Sequence, residues 1–295
     1  MNRKSWAPAY IALGLVWGCS FIFIKLGLEF LTPNGVAFAR CALGAMALLI
    51  ITRVRKISLP RQRSVWLKLW VVALLLNVIP GVAFAYAEVR VSSILAGIIN
   101  AATPLMTLIV ILIAFREERP KLYQLVGLGI GAVGVLTVLG IWKGIGHNST
   151  VGIIALLVAV SCYGVAFPFA RKYVSPLGMK SEALATAQVT SAAITLLPFY
   201  LIDGIAKDEY RPGPVLAMLA LGILGTGYAY IWNFSIISLA GSSIASTVTY
   251  MATIVAVFVG WIFLGESISW NQPLGGFLVL IGAAASQGRF TRKRG

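Results

Sequence analysis

The sequence predicts an all-α integral membrane protein whose ten transmembrane helices form two inverted five-helix repeats around a central cavity. Three observations lead there. Of 295 residues, 59% are hydrophobic and only 11% charged, too little charge to cover a soluble domain, so lipid must be the solvent. Apolar runs of about 20 residues, the length that crosses a bilayer at a rise of about 1.5 Å each, recur with short polar joints between them. The second half of the chain also repeats features of the first at an offset of 149 residues.

Each span is placed by its run and its ends. The first, 8–28, follows Arg3 and Lys4; it is too long for a signal-peptide core and lacks an Ala-x-Ala cleavage site, so it reads as a retained helix. Span two, 34–52, contains Arg40 and stops at Arg53, Arg55 and Lys56. Span three, 66–86, begins beyond Arg61 and Arg63 and carries Asn77. Span four, 92–115, holds Asn100 and Pro104 and closes on Phe115-Arg116-Glu117. Spans five and six, 122–142 and 151–171, are rich in small residues, and six stops at Arg171 and Lys172. Spans seven, 183–202, and eight, 214–237, carry Gln188 and Thr226. Span nine, 243–264, closes on Leu264-Gly265-Glu266, and span ten, 273–288, is the shortest.

Lysine and arginine set the orientation, because they concentrate in cytoplasmic segments. With the N-terminus in the cytoplasm, 18 of the 24 basic residues fall on that side, in the N-terminal segment, the joints around 53–68 and 116–121, Arg171, Lys172, Lys180 and the segment from Arg289 onward. The opposite side holds Lys25, Arg90, Lys143, Lys207 and Arg211, and Arg40 lies within span two. Both termini are basic and share a side, which requires an even number of spans. Basic clusters scattered between apolar runs also argue against a nucleic-acid-binding face.

At the offset of 149, Glu266 matches Glu117 and Gly276 matches Gly127, while Ser242, Ser246, Thr249 and Thr253 fall opposite Ser93, Gly97, Asn100 and Pro104. Both sets are small and polar at helical spacing. A unit of five spans must enter the membrane from opposite sides in its two copies. The chain therefore divides into a first repeat, 1–145, and an inverted second, 146–295, with a site expected near the midplane between them.

Taken in order, Trp17-Gly18, Arg40, Pro104 with Glu117, and Leu264-Gly265-Glu266 with Gly275-Gly276 resemble the drug/metabolite transporter superfamily. Within it the chain is similar to ten-helix bacterial exporters of amino acids, aromatic ones included, and related metabolites. The resemblance covers nearly the whole chain. It implies export across the bacterial cytoplasmic (inner) membrane by a multi-pass carrier with both termini in the cytoplasm. Thr253 departs from the pattern, since the family often has proline there.

Polar residues at membrane depth mark either a cavity or bonds between helices, because an unpaired polar group in hydrocarbon costs several kcal/mol. Asn77, Asn100, Gln188 and Thr226 lie well inside their runs, and as a group with the two polar stripes they favour a cavity. Tyr86 and Trp232 suit the interfacial belts, whereas Trp17, Tyr163 and Tyr250 sit deeper and can wall a site for modest-sized substrates. The expected substrate-binding set is Trp17, Asn77, Asn100, Tyr163, Thr226, Thr249 and Tyr250. Arg40 reads as an anchor or a partner for carbonyls, with contact to a substrate carboxylate as the other reading. Lys25 reads as a residue that snorkels to the interface.

All nine carboxylates fall at helix ends or in loops, and His147 is in an outer joint. A proton relay through a midplane carboxylate is therefore disfavoured, while coupling at a helix end stays open. Gly129-x-Gly131-x-x-Gly134 imitates a dinucleotide fingerprint but lacks the strand before it, so it reads as close helix packing. The sequons at Asn148 and Asn233 are weak patterns. Cys19, Cys41 and Cys162 lie in apolar runs without metal or disulfide spacing.

No set of nucleophile and base, or of metal ligands, gathers at one depth, which argues against a membrane-embedded enzyme; neither cofactor nor metal is expected. A small-molecule channel is an alternative, as is a nucleotide-sugar carrier of the same superfamily. Phosphates, however, would call for more basic residues at depth than Arg40 and Lys25. The expected partners are small-molecule substrates and the lipid bilayer, with no nucleic acid, and the protein is expected to be a monomer exporting polyspecifically by alternating access.

Overall fold

In lipid a spanning segment has to satisfy its own backbone hydrogen bonds, so apolar runs of this length become helices. The computed structural model describes residues 6–115, 121–140, 142, 149–206, 211–266 and 269–286. Arg116, Glu117, Lys143, His147, Asn148, Lys207 and the basic residues of both termini, all used in the sequence reading, lie outside the described residues.

Ten helical segments follow in chain order among the described residues. They are α1 Ala7–Gly27, α2 Pro33–Val54, α3 Arg63–Glu88, α4 Ser93–Ala114, α5 Leu122–Leu139, α6 Thr150–Tyr173, α7 Ser181–Asp203, α8 Pro212–Ala240, α9 Ser242–Leu264 and α10 Asn271–Ser286. Eight are long and apolar enough to cross a membrane, and α5 and α10 are shorter in their apolar part. Extended pairing among the described residues is confined to a bridge between Leu31 and Ile205. Ile50, Val54, Ile113, Leu201, Ile202 and Phe263 are each more than half exposed, as side chains facing acyl chains should be.

Polar side chains at the joints start the helices. Thr32, Ser92 and Ser149 accept from the backbone N–H groups of Gly35, Leu95 and Gly152 and so cap α2, α4 and α6. The cap of α4 continues from another part of the chain. Gly265 ends α9 in the left-handed conformation, φ 64°, which glycine adopts without a Cβ penalty. Glu266, just beyond it, accepts from Ser93 N and Ile94 N at 3.0 Å each and from the Ser93 hydroxyl at 3.0 Å.

Packing pairs α1 with α9, α6 with α4, α2 with α7, and α5 with α10. Each of these pairs maps onto itself or onto another when α1–α5 are exchanged with α6–α10. The glycines of α5 permit close packing: a Cβ on Gly282 of α10 would sit 2.5 Å from Gly131 N and 2.6 Å from Gly127 O, and one on Gly131 would meet the Tyr250 hydroxyl of α9. These backbones touch directly, which agrees with the packing reading of the glycine run. Gly129 faces open space.

Two widened π-helical turns interrupt the walls of the bundle, Leu74–Val78 in α3 and Ile223–Tyr228 in α8. Their first residues are 149 apart, the offset of the repeat. In α3 the cause is Pro80, which has no N–H to offer the carbonyl of Leu76; the Tyr230 hydroxyl donates to that carbonyl instead, at 2.8 Å. In α8, which has no proline at this point, the Thr226 hydroxyl reaches back five residues to Leu221 O at 3.0 Å. Trp17 Nε1 donates to Gly225 O at 3.2 Å.

α4 and α9 are also broken, but not at matching positions. In α4 the turn at Ala101 and Ala102 precedes Pro104. α9 has Thr253 in that register and breaks at Thr247, where Ser246, Thr247 and Thr249 each bond a carbonyl three residues back. Such local bonds compete with the helical ladder and bend it. Thr253 instead ties the two helices together, donating to Gly97 O at 2.6 Å.

Buried apolar side chains gather in two large clusters. One, around Leu13, Leu48, Leu69, Leu184, Phe234 and Val248, fills the end of the bundle that holds the α1 N-terminus. The other, around Phe21, Val36, Phe84, Leu156 and Met218, fills the opposite end. Tyr163 packs against both.

Candidate functional site

Between the two clusters lies a cavity walled by α1, α2, α3, α4, α6, α8 and α9. Its lining is Trp17, Ser20, Phe21, Ile24, Arg40, Leu76, Phe84, Asn100, Tyr163, Phe167, Tyr230 and Thr249. Of the residues singled out in the sequence, Trp17, Asn100, Tyr163 and Thr249 are brought together here. Asn100 and Thr249 come from helices that exchange under the repeat, and each stands beside the break in its helix.

The remaining three lie elsewhere. Asn77 is buried and accepts from Gln188 Nε2 at 2.5 Å, a bond between α3 and α7 rather than part of the cavity wall. Thr226, at the matching position of the other π turn, accepts from Arg40 Nε at 3.1 Å, behind the lining. Tyr250 turns toward α5 and packs with Ala101 and Val135. The polar residues at depth thus divide: one pair joins helices, one residue orients a cavity cation, and Asn100 faces the cavity.

Arg40 was the residue whose reading changes most. It is only 9% exposed and lies in the cavity wall with the Thr226 hydroxyl, not a backbone carbonyl, fixing its Nε. Among the described residues no carboxylate forms an ion pair with it, so a cation bonded only through Nε lines the cavity. Lys25 also turns inward, donating to Glu88 O at 2.6 Å and Val91 O at 3.3 Å.

Aromatic rings make up much of the remaining wall. Trp17 meets Tyr230 edge-on at 6.0 Å, and Phe84 bridges Phe21 at 5.7 Å and Tyr163 at 5.9 Å. The amide of Asn100 has one contact among the described residues, a 3.4 Å approach from the Thr103 hydroxyl, which leaves its N–H groups for a ligand. A cation, an amide and a hydroxyl within an aromatic wall can hold a small molecule that carries a carboxylate and an apolar body. The cavity measures about 40 Å³, room for roughly three waters, so a ligand of amino-acid size enters only when the wall helices move apart.

Ser20, Phe21, Ile24, Leu76 and Phe84 give no sign of themselves in the sequence, and Phe167 and Tyr230, aromatic residues within spans six and eight, stand outside the expected set. An apolar side chain facing a cavity looks the same in a sequence as one facing a neighbouring helix. Tyr230 carried a usable signal, a hydroxyl at depth four residues beyond Thr226.

The sequence matches the EamA-like transporter family twice, over residues 4–140 and 150–286, one match in each half. It is 24% identical to the uncharacterized transporter YoaV of Bacillus subtilis, covering 96% of this chain and 97% of that one. An uncharacterized transporter of Archaeoglobus fulgidus is 27% identical over 96% of both chains. The uncharacterized inner membrane transporter YedA of Escherichia coli is 26% identical over 88% of this chain and 83% of its own. A crystal structure with 17% identity aligns over 99% of this chain and 100% of the other with a TM-score of 0.73, a likeness of fold.

Proposed function

Because the chain belongs to the EamA-like transporter family, we propose that it exports amino acids, aromatic ones included, and related small metabolites from the cytoplasm by alternating access. It is a multi-pass membrane transporter and not an enzyme. The observation that carries the substrate reading is Arg40: a single guanidinium, without an ion-pair partner among the described residues, in a cavity otherwise lined by rings, two aliphatic side chains, an amide and hydroxyls. A carboxylate satisfies the guanidinium, Asn100 and Thr249 offer hydrogen bonds to a neighbouring polar group, and the rings accept an apolar side chain. One fixed charge among adaptable surfaces also suits several cargoes. A nucleoside diphosphate would bring more negative charge than this wall offsets.

Uptake of a labelled amino-acid panel into preloaded proteoliposomes tests the reading. L-phenylalanine and L-tryptophan should exchange against internal unlabelled substrate. Asn100→Leu should lower that exchange by about tenfold, the loss of one hydrogen bond to a charged group, while its thermal unfolding stays near wild type. Normal exchange in this variant, or failure only through unfolding, would remove Asn100 from the site.

The proposal extends to the halves, 1–145 and 146–295, as inverted copies in an inner membrane, functioning as a monomer with both termini in the cytoplasm. The excess of lysine and arginine on one side supports this orientation. Reporter fusions at the N-terminus, within 53–62 and after the last residue should all report cytoplasm. A periplasmic signal from the C-terminus would contradict the inversion.

A further inference from the structure

Glu88 is the last residue of α3 and is completely buried, 0% exposed. Among the described residues neither of its carboxyl oxygens has a hydrogen-bond partner. Its neighbours in sequence, Ala87 and Val91, belong to the outer apolar cluster, and the close approach of Gly152 to Val91 and to Ala87 O brings α6 against this end of α3. Glu88 lies one helical turn beyond Phe84, and Lys25 one turn beyond Phe21; both aromatic residues line the cavity. A titratable carboxyl therefore sits between the cavity and the outer surface, on the helix face that walls the cavity.

The charged groups close enough to act on it are Lys25 of α1, Glu266 after α9 and Arg40 of α2. Lys25 and Arg40 attract its ionised form and Glu266 repels it, and among the described residues none of the three bonds its oxygens. Lys25 spends two of its donors on the backbone carbonyls of Glu88 and Val91, Glu266 is of like sign and caps α4, and Arg40 is held by Thr226. The α6 residues beside it, 150–163, carry no charge. Arg90, on the same stretch of chain, turns away over the Tyr86 ring at 3.7 Å. An ionised carboxylate enclosed without a partner is far costlier than the neutral acid.

We propose that Glu88 is a proton-binding site that couples transport to the proton gradient. While the outer half of the bundle is open, one proton from the outer solution binds a carboxylate oxygen, and closure over Glu88 then holds the neutral acid. The proton leaves to water once the cavity hydrates from the cytoplasmic side. One proton thus moves inward for each cargo delivered outward. The coupling lies at a helix end, not the midplane, and differs from the gradient-independent flux that the absence of a midplane carboxylate suggests.

Two measurements on the full-length protein test it, and only the second rests on the amino-acid reading above. Infrared spectra of lipid-reconstituted protein at neutral pH should contain the C=O stretch of a protonated carboxyl, missing from Glu88→Gln and kept in Glu88→Asp. Identical spectra of wild type and Glu88→Gln overturn the proposal. In the second, vesicles with an acidic interior and clamped membrane potential should accumulate labelled L-phenylalanine several-fold above vesicles without a gradient. Glu88→Gln should lose that stimulation while label exchange at equal pH persists, and Glu88→Asp should keep it. Stimulation that survives in Glu88→Gln, or exchange that disappears in a folded Glu88→Gln, overturns the coupling. If wild type exchanges no amino acid, the substrate reading fails and the infrared result alone decides the proton site.

Discussion

Arg40→Leu should reduce exchange of L-phenylalanine by at least about 30-fold, with little change in folding. Removing one partner of a desolvated charge pair typically costs about 2–5 kcal/mol, and the lower end already corresponds to about 30-fold. The folded protein loses one bond, Arg40 Nε to the Thr226 hydroxyl, yet is also relieved of holding an unpaired cation away from water, so replacement by an apolar residue of similar volume is neutral or stabilising. The Thr226 hydroxyl keeps its bond to Leu221 O. Flux and thermal unfolding measured on the same preparation separate the outcomes. Unchanged flux would detach Arg40 from substrate, and a collapse of stability would make it a structural residue. Arg40→Lys should retain part of the flux, since an ammonium keeps the charge but not the forked geometry.

Glu266→Ala should produce the largest loss of stability, about 2–5 kcal/mol. The first turn of a helix leaves backbone donors that the helix itself cannot satisfy. In α4, Glu266 takes those of Ser93 and Ile94, and Ser92 takes that of Leu95. Ser93 and Ile94 are 1% and 2% exposed with Glu266 in place, so truncation strips their donors of the only protein acceptor they have among the described residues, and each stranded donor costs about 1–3 kcal/mol. Glu266→Gln, with one acceptor oxygen, should fall between. Ser92→Ala, losing a single cap, should cost about 1 kcal/mol. Thermal unfolding in detergent orders the three variants, and an Ala variant within about 0.5 kcal/mol of wild type would refute the account.

The Leu-Gly-Glu motif at the end of α9 shows what the sequence could and could not disclose. Its presence supported the family resemblance, but its task, a glycine turn that sends a carboxylate to the start of α4, depends on which helix lies nearby. The ten spans were legible because lipid imposes a length and a composition on every crossing segment. Asn100 and Thr249 were legible because two copies of a pattern can be laid over each other. Asn77 and Thr226 were found by the same depth criterion yet lie behind the wall, since depth does not reveal rotation about the helix axis. Arg40 read as an anchor or a substrate contact alike, because the sequence does not reveal how α2 packs against α8. Glu88 looked like an ordinary terminal carboxylate, because its burial is created by α6, far along the chain.

The two π turns have a mechanical consequence. Each leaves a backbone carbonyl that accepts its hydrogen bond from an aromatic residue of the cavity wall: Leu76 O from Tyr230, and Gly225 O from Trp17. Tyr230 and Trp17 also touch each other at their rings. Neither ring can swing to admit cargo without unlatching a wide turn in a long helix, and an unlatched turn that closes up to ordinary α geometry rotates the helix beyond it by about 100° per residue. Each latch is one hydrogen bond, worth a net of about 0.5–1.5 kcal/mol, firm enough to hold the resting shape and weak enough for a bound molecule to open. The cavity lining and the two helix defects therefore act as one spring, with the rings as its catch.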